Sequence, residues 1–285
     1  MSLPPHVAQF REQGYAIVRA VIPPDEIAAL ADEADRIYAE AMVHHTSWRH
    51  GNLFYEILPD PEAGRIVLQA QWVSWVSERF EHLRRDPRLL AVLEPLVGRD
   101  LKQIANQIHW KPPGARFGSF RFHQDLRFRK PPEAYRDLRW AYVTTGLAID
   151  PMGPDNGGLQ VFPGSHRLDA LDLSTEGPVM KGETSDNELR KVGLDPADAV
   201  AIELQPGDLL LWNVYTVHGS GPNRAGRDRR RFHINSYVKP DHCARGEWAF
   251  KDGQSCPLGS EPSLVRYGEL AARPEPHYVE NRWWE

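Results

Sequence analysis

The sequence predicts an α+β fold in which a helical layer packs against a barrel or sandwich of antiparallel strands. Apolar residues recur at helical spacing over residues 1–100. After residue 100, short β-like runs alternate with Gly- and Pro-rich turns. Helices followed by many strands are typical of α+β proteins. Since no linker-like segment interrupts the 285 residues, we expect a single domain.

Three helices are expected in residues 1–100, which would form a mainly helical support. The first follows Pro23-Pro24-Asp25 and continues through DEIAALADEADRIYAEAMV. A second is predicted from Arg65 to Phe80. A third is expected between Asp86, a candidate N-cap, and Gly98, a typical helix stop.

Six β-like runs follow, and they are expected to form the core over residues 101–240. They are LKQIANQIHW (101–110), RWAYVTTGLAI (139–149), GLQVFP (158–163), AVAIEL (199–204), DLLLWNVYTVH (208–218) and RRFHINSYV (230–238). Residues 167–198 are polar and without a clear period, which predicts a long surface insertion. Residues 241–285 would be a C-terminal extension.

Composition and charge argue against several classes of protein. The net charge of −5 disfavours a general nucleic-acid binder. Two cysteines, Cys243 and Cys256, are too few for a disulfide framework and indicate free thiols in a reducing compartment. The N-terminus lacks the pattern of a secretory signal, and no apolar run approaches the ~20 residues of a membrane span. We therefore expect a cytoplasmic protein with no nucleic-acid or membrane partner, and the sequence carries no signal of an oligomeric state.

The stretch FRFHQDLRF (120–128) places His123 and Asp125 two positions apart. Because side chains alternate along a strand, both would face the same side. His-x-Asp is common by chance, so a metal site needs a third ligand from elsewhere. The best donor is His218, where an apolar strand meets a Gly/Pro/Asn turn. Two His and one carboxylate form the facial triad of non-haem Fe(II), whereas structural zinc normally has four ligands; catalytic zinc would also fit.

A guanidinium after His218 is expected to clamp a dicarboxylate. The turn GSGPNRAGRD reverses the chain, and Arg229 then opens the strand RRRFHINSYV. On a regular strand Arg229 and Arg231 share one face and Arg230 takes the other, so parity leaves Arg229 and Arg231 as candidates. Ser220 could add a hydroxyl hydrogen bond. The alternative is that these arginines are a solvated charge run at a turn.

Together the motifs resemble the phytanoyl-CoA dioxygenase family of Fe(II)/2-oxoglutarate-dependent oxygenases. They are HQD (123–125), DNGGLQVFPGSH (155–166), PGDLLLW (206–212), HGSGPN…R (218–229) and the N-terminal FREQGYAIVRAVIPPDEIAAL (10–30). The resemblance implies a double-stranded β-helix, a cupin-like jelly roll, flanked by N-terminal helices. It also implies a set of site residues: Fe(II) ligands His123, Asp125 and His218, and 2-oxoglutarate contacts Arg229 and Ser220, with Asn106 or Gln107 from the preceding strand.

The resemblance implies a reaction in which 2-oxoglutarate and O₂ are consumed, succinate and CO₂ are released, and an unactivated C–H bond is hydroxylated. Related halogenases carry a small residue in place of the carboxylate, so Asp125 predicts hydroxylation over halogenation. Five cations surround the HQD motif: Arg116, Arg121, Arg127, Arg129 and Lys130. They predict a small or medium anionic metabolite as substrate, with Arg121 and Arg127 as its contacts, because these two share the strand parity of His123. A solvated positive face is the alternative.

Two other functions are compatible with parts of this pattern. A His₂Asp zinc hydrolase would leave Arg229 and Ser220 without a role. A catalytically silent jelly-roll binding protein would be favoured if one of His123, Asp125, His218 or Arg229 were missing, and all four are present. His166, which follows Pro-Gly-Ser, is expected at a loop edge and outside the metal site.

Overall fold

The computed structural model describes residues 3–61, 64–113, 118–173, 182–226, 229–259 and 273–279. The helices in these ranges are α1 (Pro5–Gln13), α2 (Pro24–Ala41), α3 (Glu78–Arg84), α4 (Pro87–Val97) and α5 (Asp186–Lys191). The strands are β1 (Tyr15–Val18), β2 (Trp48–His50), β3 (Leu53–Asp60), β4 (Gly64–Gln71), β5 (Leu101–Lys111), β6 (Phe120–His123), β7 (Tyr142–Ala148), β8 (Leu159–Val161), β9 (Val200–Ala201), β10 (Leu209–Trp212), β11 (His218–Ser220), β12 (Arg230–Val238), β13 (Glu247–Lys251), β14 (Gln254–Ser255) and β15 (His277–Tyr278).

Two antiparallel sheets form the core. The larger has the order β1-β10-β7-β12-β5-β4-β3-β2-β15, with β13 pairing with β5 and β14 with β13. The smaller has the order β6-β11-β8-β9. The strands β10, β7, β12 and β5 and the four strands of the smaller sheet form the two halves of an eight-stranded jelly roll. The predicted α+β jelly roll is therefore confirmed.

Strand alternation gives the larger sheet two different faces. On the helix side, Leu211, Val143 and Ile108 pack with residues of α2 and α4. On the inner side, Leu210 and Phe232 pack with residues of the smaller sheet. Burying each such apolar side chain stabilises the fold by about 1.5–3 kcal/mol. The inner face of this sheet is therefore the wall of the jelly-roll interior.

The first and third predicted helices are confirmed. In α2, the side chains Ile27, Leu30 and Ile37 are buried at helical spacing against the larger sheet. The Asp86 carboxylate accepts a hydrogen bond from the Arg88 amide at 2.7 Å and caps α4, as an N-cap residue should.

The second predicted helix, Arg65 to Phe80, is wrong, and residues 1–100 contain the strands β1–β4 as well as the helices α1–α4. Residues 64–71 form β4 between β3 and β5, and helix α3 begins only at Glu78. The apolar run at Ile66 is buried on both sides of the sheet, so it shows no alternation. Such a run cannot be assigned to helix or strand by its period, and its β-branched residues favour a strand. Strands β2–β4 extend the larger sheet beyond the jelly roll.

The predicted insertion 167–198 is described at both ends, 167–173 and 182–198. Leu173 and Leu189 pack against Phe162 and Val217 of the smaller sheet, so these ends fold onto its outer face. Residues 174–181 lie outside the described residues, as do residues 260–272 and 280–285 of the C-terminal extension. None of the helices in the described part of the chain has the length and apolarity needed to cross a membrane.

Candidate metal centre

The structure brings His123, Asp125 and His218 together between the two sheets. His123 ends β6, His218 begins β11, and the two residues are register partners. Asp125 starts a 3-10 turn directly after β6. Its Oδ1 lies 3.8 Å from Nε2 of His123 and 3.6 Å from Nε2 of His218. All three are buried, and among the described residues no other His, Cys, Asp or Glu cluster has ligand atoms this close together.

Main-chain carbonyls orient both histidine rings. The carbonyl oxygen of Arg121 lies 2.6 Å from Nδ1 of His123, and that of Thr216 lies 2.9 Å from Nδ1 of His218. Because a carbonyl can only accept, each Nδ1 carries the proton and each Nε2 presents its lone pair to the centre. Burial and the neighbouring His218 lower the pKa of His123 to about 3, which keeps this ring neutral.

Two donors from the larger sheet hold the other oxygen of Asp125. Thr144 Oγ1 donates to Oδ2 at 2.9 Å, and Trp212 Nε1 donates to it at 3.0 Å. Burial raises the pKa of Asp125, but His218, His123, Arg129 and the hydrogen bond from Thr144 outweigh it, and the net effect is a lowered pKa. The carboxylate is therefore charged and has only Oδ1 free for a metal. Thr144 and Trp212 were not among the residues predicted from the sequence, although an indole inside the PGDLLLW strand is a recognisable hydrogen-bond donor.

The donor set fits Fe(II). Two imidazole nitrogens and one carboxylate oxygen form the 2-His-1-carboxylate set, which leaves further coordination positions open. A structural zinc site would use four protein ligands, often with cysteine. Neither Cys243 nor Cys256 belongs to this group of ligand atoms.

The predicted anchor, Arg229, lies outside the interior. Its side chain is 62% exposed and pairs with Asp35 of α2 at 3.0 Å. The other candidate, Arg231, forms an ion pair with Asp150 at 2.7 Å. Arg230 is the residue that faces inward, because it shares a strand face with Phe232 of the interior cluster. The predicted register is therefore displaced by one residue.

Arg230 is a buried cation that forms no ion pair with the residues that the structure describes. It is 2% exposed, and its Nε atom has no hydrogen-bond partner among the described residues. Burial lowers the pKa of Arg230 to about 9, with Asp150 acting in the opposite direction. A buried guanidinium without an acceptor is costly, so this position is suited to an anion.

His109 lies between Arg230 and the metal centre. It is the register partner of Phe232 and therefore faces inward, and its buried Nε2 has no hydrogen-bond partner in the described part of the chain. Burial, Arg230 and Lys111 lower the pKa of His109 well below 6.5, while Asp125 acts to raise it. Its imidazole is thus within electrostatic reach of both the interior cation and the metal ligands.

Ser220 lies on β11 two residues after His218, with its hydroxyl already engaged. Lys111 Nζ donates to Ser220 Oγ at 2.7 Å and to the carbonyl oxygens of Gly221 at 2.5 Å and Gly157 at 3.1 Å. Burial and Arg230 lower the pKa of Lys111 well below 10.5. A Cβ on Gly157 would lie 2.8 Å from Lys111 Cδ, so the DNGG turn makes room for this lysine.

Asn106 and Gln107 face opposite sides of β5. Asn106 lies on the helix side, where its Nδ2 donates to Asn235 Oδ1 at 2.8 Å and its Oδ1 accepts from Ser74 Oγ at 3.1 Å. It cannot also reach the interior. Gln107 is the register partner of Ile234 on the inner face, so of this pair only Gln107 remains a candidate contact.

The predicted substrate contacts Arg121 and Arg127 do not share the face of His123. Phe120 and His123 are three residues apart on β6, but they pair with Ser220 and His218, which are two apart on β11. This β-bulge breaks the side-chain alternation that was assumed for β6. Arg121 instead pairs with Glu188 of α5 at 2.5 Å. Arg127 lies in the 3-10 turn that begins at Asp125, where strand parity does not apply. Arg116 lies outside the described residues.

Comparisons with known proteins agree with this geometry. Residues 10–231 match the family model described as Phytanoyl-CoA dioxygenase (PhyH). The chain is 23% identical over 237 residues, 82% of this chain and 77% of the relative, to a probable alpha-ketoglutarate-dependent hypophosphite dioxygenase of Stutzerimonas stutzeri. It is 30% identical over 139 residues to a methylphosphonate hydroxylase of Gimesia maris, covering 49% of this chain and 46% of that relative.

Among solved structures, EctD from S. alaskensis with 2-oxoglutarate and 5-hydroxyectoine matches with a TM-score of 0.63 at 21% identity. The match covers 94% of this chain and 85% of that chain. At this level of identity the likeness concerns the fold.

Proposed function

The chain belongs to the phytanoyl-CoA dioxygenase family, and we propose that within this family it hydroxylates a C–H bond of a small or medium anionic metabolite. It is a non-haem Fe(II)- and 2-oxoglutarate-dependent dioxygenase that uses O₂. The family, the enzyme class and the cofactors predicted from the sequence are thus confirmed. The substrate's anionic character and the hydroxylation outcome belong to the proposal.

One observation carries the proposal: a buried His₂Asp set and Arg230, a buried guanidinium that forms no ion pair among the described residues, share the interior of one jelly roll. A metal and an anion anchor in the same cavity suit a ligand that is both a chelator and a dicarboxylate. A zinc hydrolase does not need the buried guanidinium of Arg230. A binding protein without catalytic activity does not need the His₂Asp metal ligands.

Nε2 of His123, Nε2 of His218 and Oδ1 of Asp125 would hold Fe(II). With Fe(II) and 2-oxoglutarate bound, O₂ would be the oxidant for C–H hydroxylation: one of its oxygen atoms would enter the product and the other succinate, while 2-oxoglutarate would lose CO₂. The residues themselves bind and orient the reactants. Thr144 and Trp212 keep the carboxylate of Asp125 on one oxygen, so it occupies a single coordination position.

Arg230 would clamp the distal carboxylate of 2-oxoglutarate, because a guanidinium binds a carboxylate through two parallel hydrogen bonds. His109 Nε2 and Gln107 would contact the same ligand from β5. Lys111 would act indirectly, since it holds the hydroxyl of Ser220 beside the returning strand. These assignments replace Arg229 and Asn106.

The substrate proposal rests on chemistry and on relatives. Curated relatives are named for the small anions hypophosphite and methylphosphonate. Asp125 supplies the carboxylate ligand whose replacement characterises halogenases, so hydroxylation is the proposed outcome. We also place the enzyme in the cytoplasm, where free thiols such as Cys243 and Cys256 persist.

The proposal is tested with anaerobic protein, Fe(II) and 2-oxoglutarate. We expect a weak visible charge-transfer band in the wild type and no band in His123→Ala. Succinate release during a screen of small anionic compounds should then identify the substrate. A wild-type protein that binds Fe(II) but gives no band with 2-oxoglutarate would contradict the proposal.

A further inference from the structure

Arg129 lies beside the metal centre, at the end of the 3-10 turn that begins with Asp125. Its Nε donates to the main-chain oxygen of Asp125 at 3.4 Å. Its guanidinium carbon lies 5.4 Å from the ring centroid of Tyr142. The Tyr142 hydroxyl is in turn 3.4 Å from the Thr144 oxygen that bonds Asp125. Arg129 therefore belongs to the surroundings of the iron ligands.

Arg129 and Arg230 mark opposite ends of the interior. Strand β12 begins at Arg230 and ends at Val238, the register partner of Tyr142. The metal ligand Asp125 is bonded to Thr144, two residues from Tyr142, so the metal centre lies nearer the Arg129 end. A 2-oxoglutarate that reaches from the metal towards Arg230 would leave the Arg129 side free for the substrate.

Unlike Arg121 and Arg231, Arg129 has no carboxylate partner in an ion pair among the described residues. Arg121 pairs with Glu188, and Arg231 pairs with Asp150. Within the described ranges Arg129 forms no ion pair, and its only carboxylate neighbour is the metal ligand Asp125. Its guanidinium also forms a side-chain hydrogen bond with Tyr135, and as an arginine it stays protonated.

Counting charges leaves Arg129 uncompensated when the proposed cofactors are bound. Fe(II) is balanced by the Asp125 carboxylate and by the carboxylate of 2-oxoglutarate next to its keto group. The distal carboxylate is balanced by Arg230. The positive charge of Arg129, beside the metal ligand Asp125, then has no carboxylate of its own among the described residues, and a partly buried cation of this kind favours an anionic ligand.

We propose that Arg129 binds the oxyanion of the substrate, a phosphonate, phosphinate or carboxylate group, and so places the adjacent C–H bond beside the metal. This inference rests on the proposed function and names the residue that would select its substrate. Arg129 thereby takes the substrate-binding role that was predicted for Arg121 and Arg127 from strand alternation. Two-point binding by the guanidinium would fix both the position and the orientation of the oxyanion.

The test titrates methylphosphonate, phosphite and acetate into the anaerobic Fe(II)–2-oxoglutarate protein and follows the perturbation of its charge-transfer band. We expect at least one of these anions to shift the wild-type band at millimolar concentration. Arg129→Gln should weaken that binding by about tenfold or more, because it removes a charge-assisted hydrogen-bond pair. Its affinity for 2-oxoglutarate should be unchanged.

Arg127→Gln is the matched control, two residues away in the same turn, and should bind the anion as the wild type does. Arg129→Lys keeps the charge but loses the two-point geometry, so its affinity for the anion should lie between those of the wild type and Arg129→Gln. If Arg129→Gln does not fold, Arg129→Lys is the variant to measure. Anions that leave the wild-type band unmoved, or equal anion affinity in the wild type and both Arg129 variants, would overturn the inference. A missing band in the wild type with 2-oxoglutarate alone would instead contradict the proposed function.

Discussion

The two faces of the larger sheet both bury polar side chains, but they satisfy them in different ways. On the helix side, Asn106 Nδ2 donates to Asn235 Oδ1 at 2.8 Å and lies 3.3 Å from Nε2 of His233. On the inner side, Nε of Arg230 and Nε2 of His109 have no partner among the described residues. Buried polar groups are normally hydrogen-bonded. The amide network around Asn106 and Asn235 on the helix side is therefore completed by folding, and we infer that the unpaired groups of the inner side are completed by ligands.

The difference predicts opposite effects of mutation on stability. Asn235→Ala would leave the donors of Asn106 and Gln103 without their shared acceptor and should lower the unfolding free energy by about 2–4 kcal/mol. Arg230→Met removes a buried charge without a partner and should leave the stability of the ligand-free protein unchanged or raise it. Denaturant unfolding of the two variants measures this. A large destabilisation by Arg230→Met would contradict the distinction between the faces.

The hydrogen bond from Trp212 to Asp125 should matter for metal binding. Trp212→Phe removes the Nε1 donor but keeps an aromatic ring stacked near Phe232, so Fe(II) affinity should fall about 10- to 100-fold. Competition titration with a coloured chelator measures the loss. Trp110→Phe is the control, because Nε1 of Trp110, on the helix side, has no hydrogen-bond partner in the part of the chain that the structure describes. Equal metal affinity in both variants would show that the carboxylate needs no such support.

His233 should make the helix side sensitive to acid. Burial lowers the pKa of His233 to about 3, whereas the unfolded chain takes up this proton near pH 6.5. Between these values only the unfolded state binds the proton, so stability falls as the pH drops through this window. Between about pH 7 and pH 5, the unfolding free energy of His233→Gln should fall by about 1–2 kcal/mol less than that of the wild type. Denaturant unfolding at both pH values tests this. An equal loss of unfolding free energy in the variant and the wild type would refute it.

The sequence predicted what local patterns encode. Helix α4 followed from the cap at Asp86, and the three ligand residues followed from short motifs at strand ends. These features depend on a few neighbouring residues. The family resemblance then supplied the jelly roll that joins the HQD motif to His218.

Predictions that needed non-local register were wrong. Arg230 faces inward because β12 pairs with β5 in a register set by the whole sheet. Arg121 does not lie on the predicted face, because the pairing of β6 with β11 contains a bulge that the sequence does not show. Trp212 was missed since its hydrogen bond to Asp125 joins residues that lie 87 positions apart. A shift of one residue exchanges the two faces of a strand, so parity alone could not decide these cases.

The central claim, that the inner face is completed by 2-oxoglutarate, is tested most directly by comparing two adjacent arginines. Anaerobic Fe(II) protein is titrated with 2-oxoglutarate, and the charge-transfer band gives the affinity. Arg230→Gln should weaken binding by about tenfold or more, whereas the exposed Arg229→Gln should match the wild type. Weakened binding in Arg229→Gln with unchanged binding in Arg230→Gln would contradict the account.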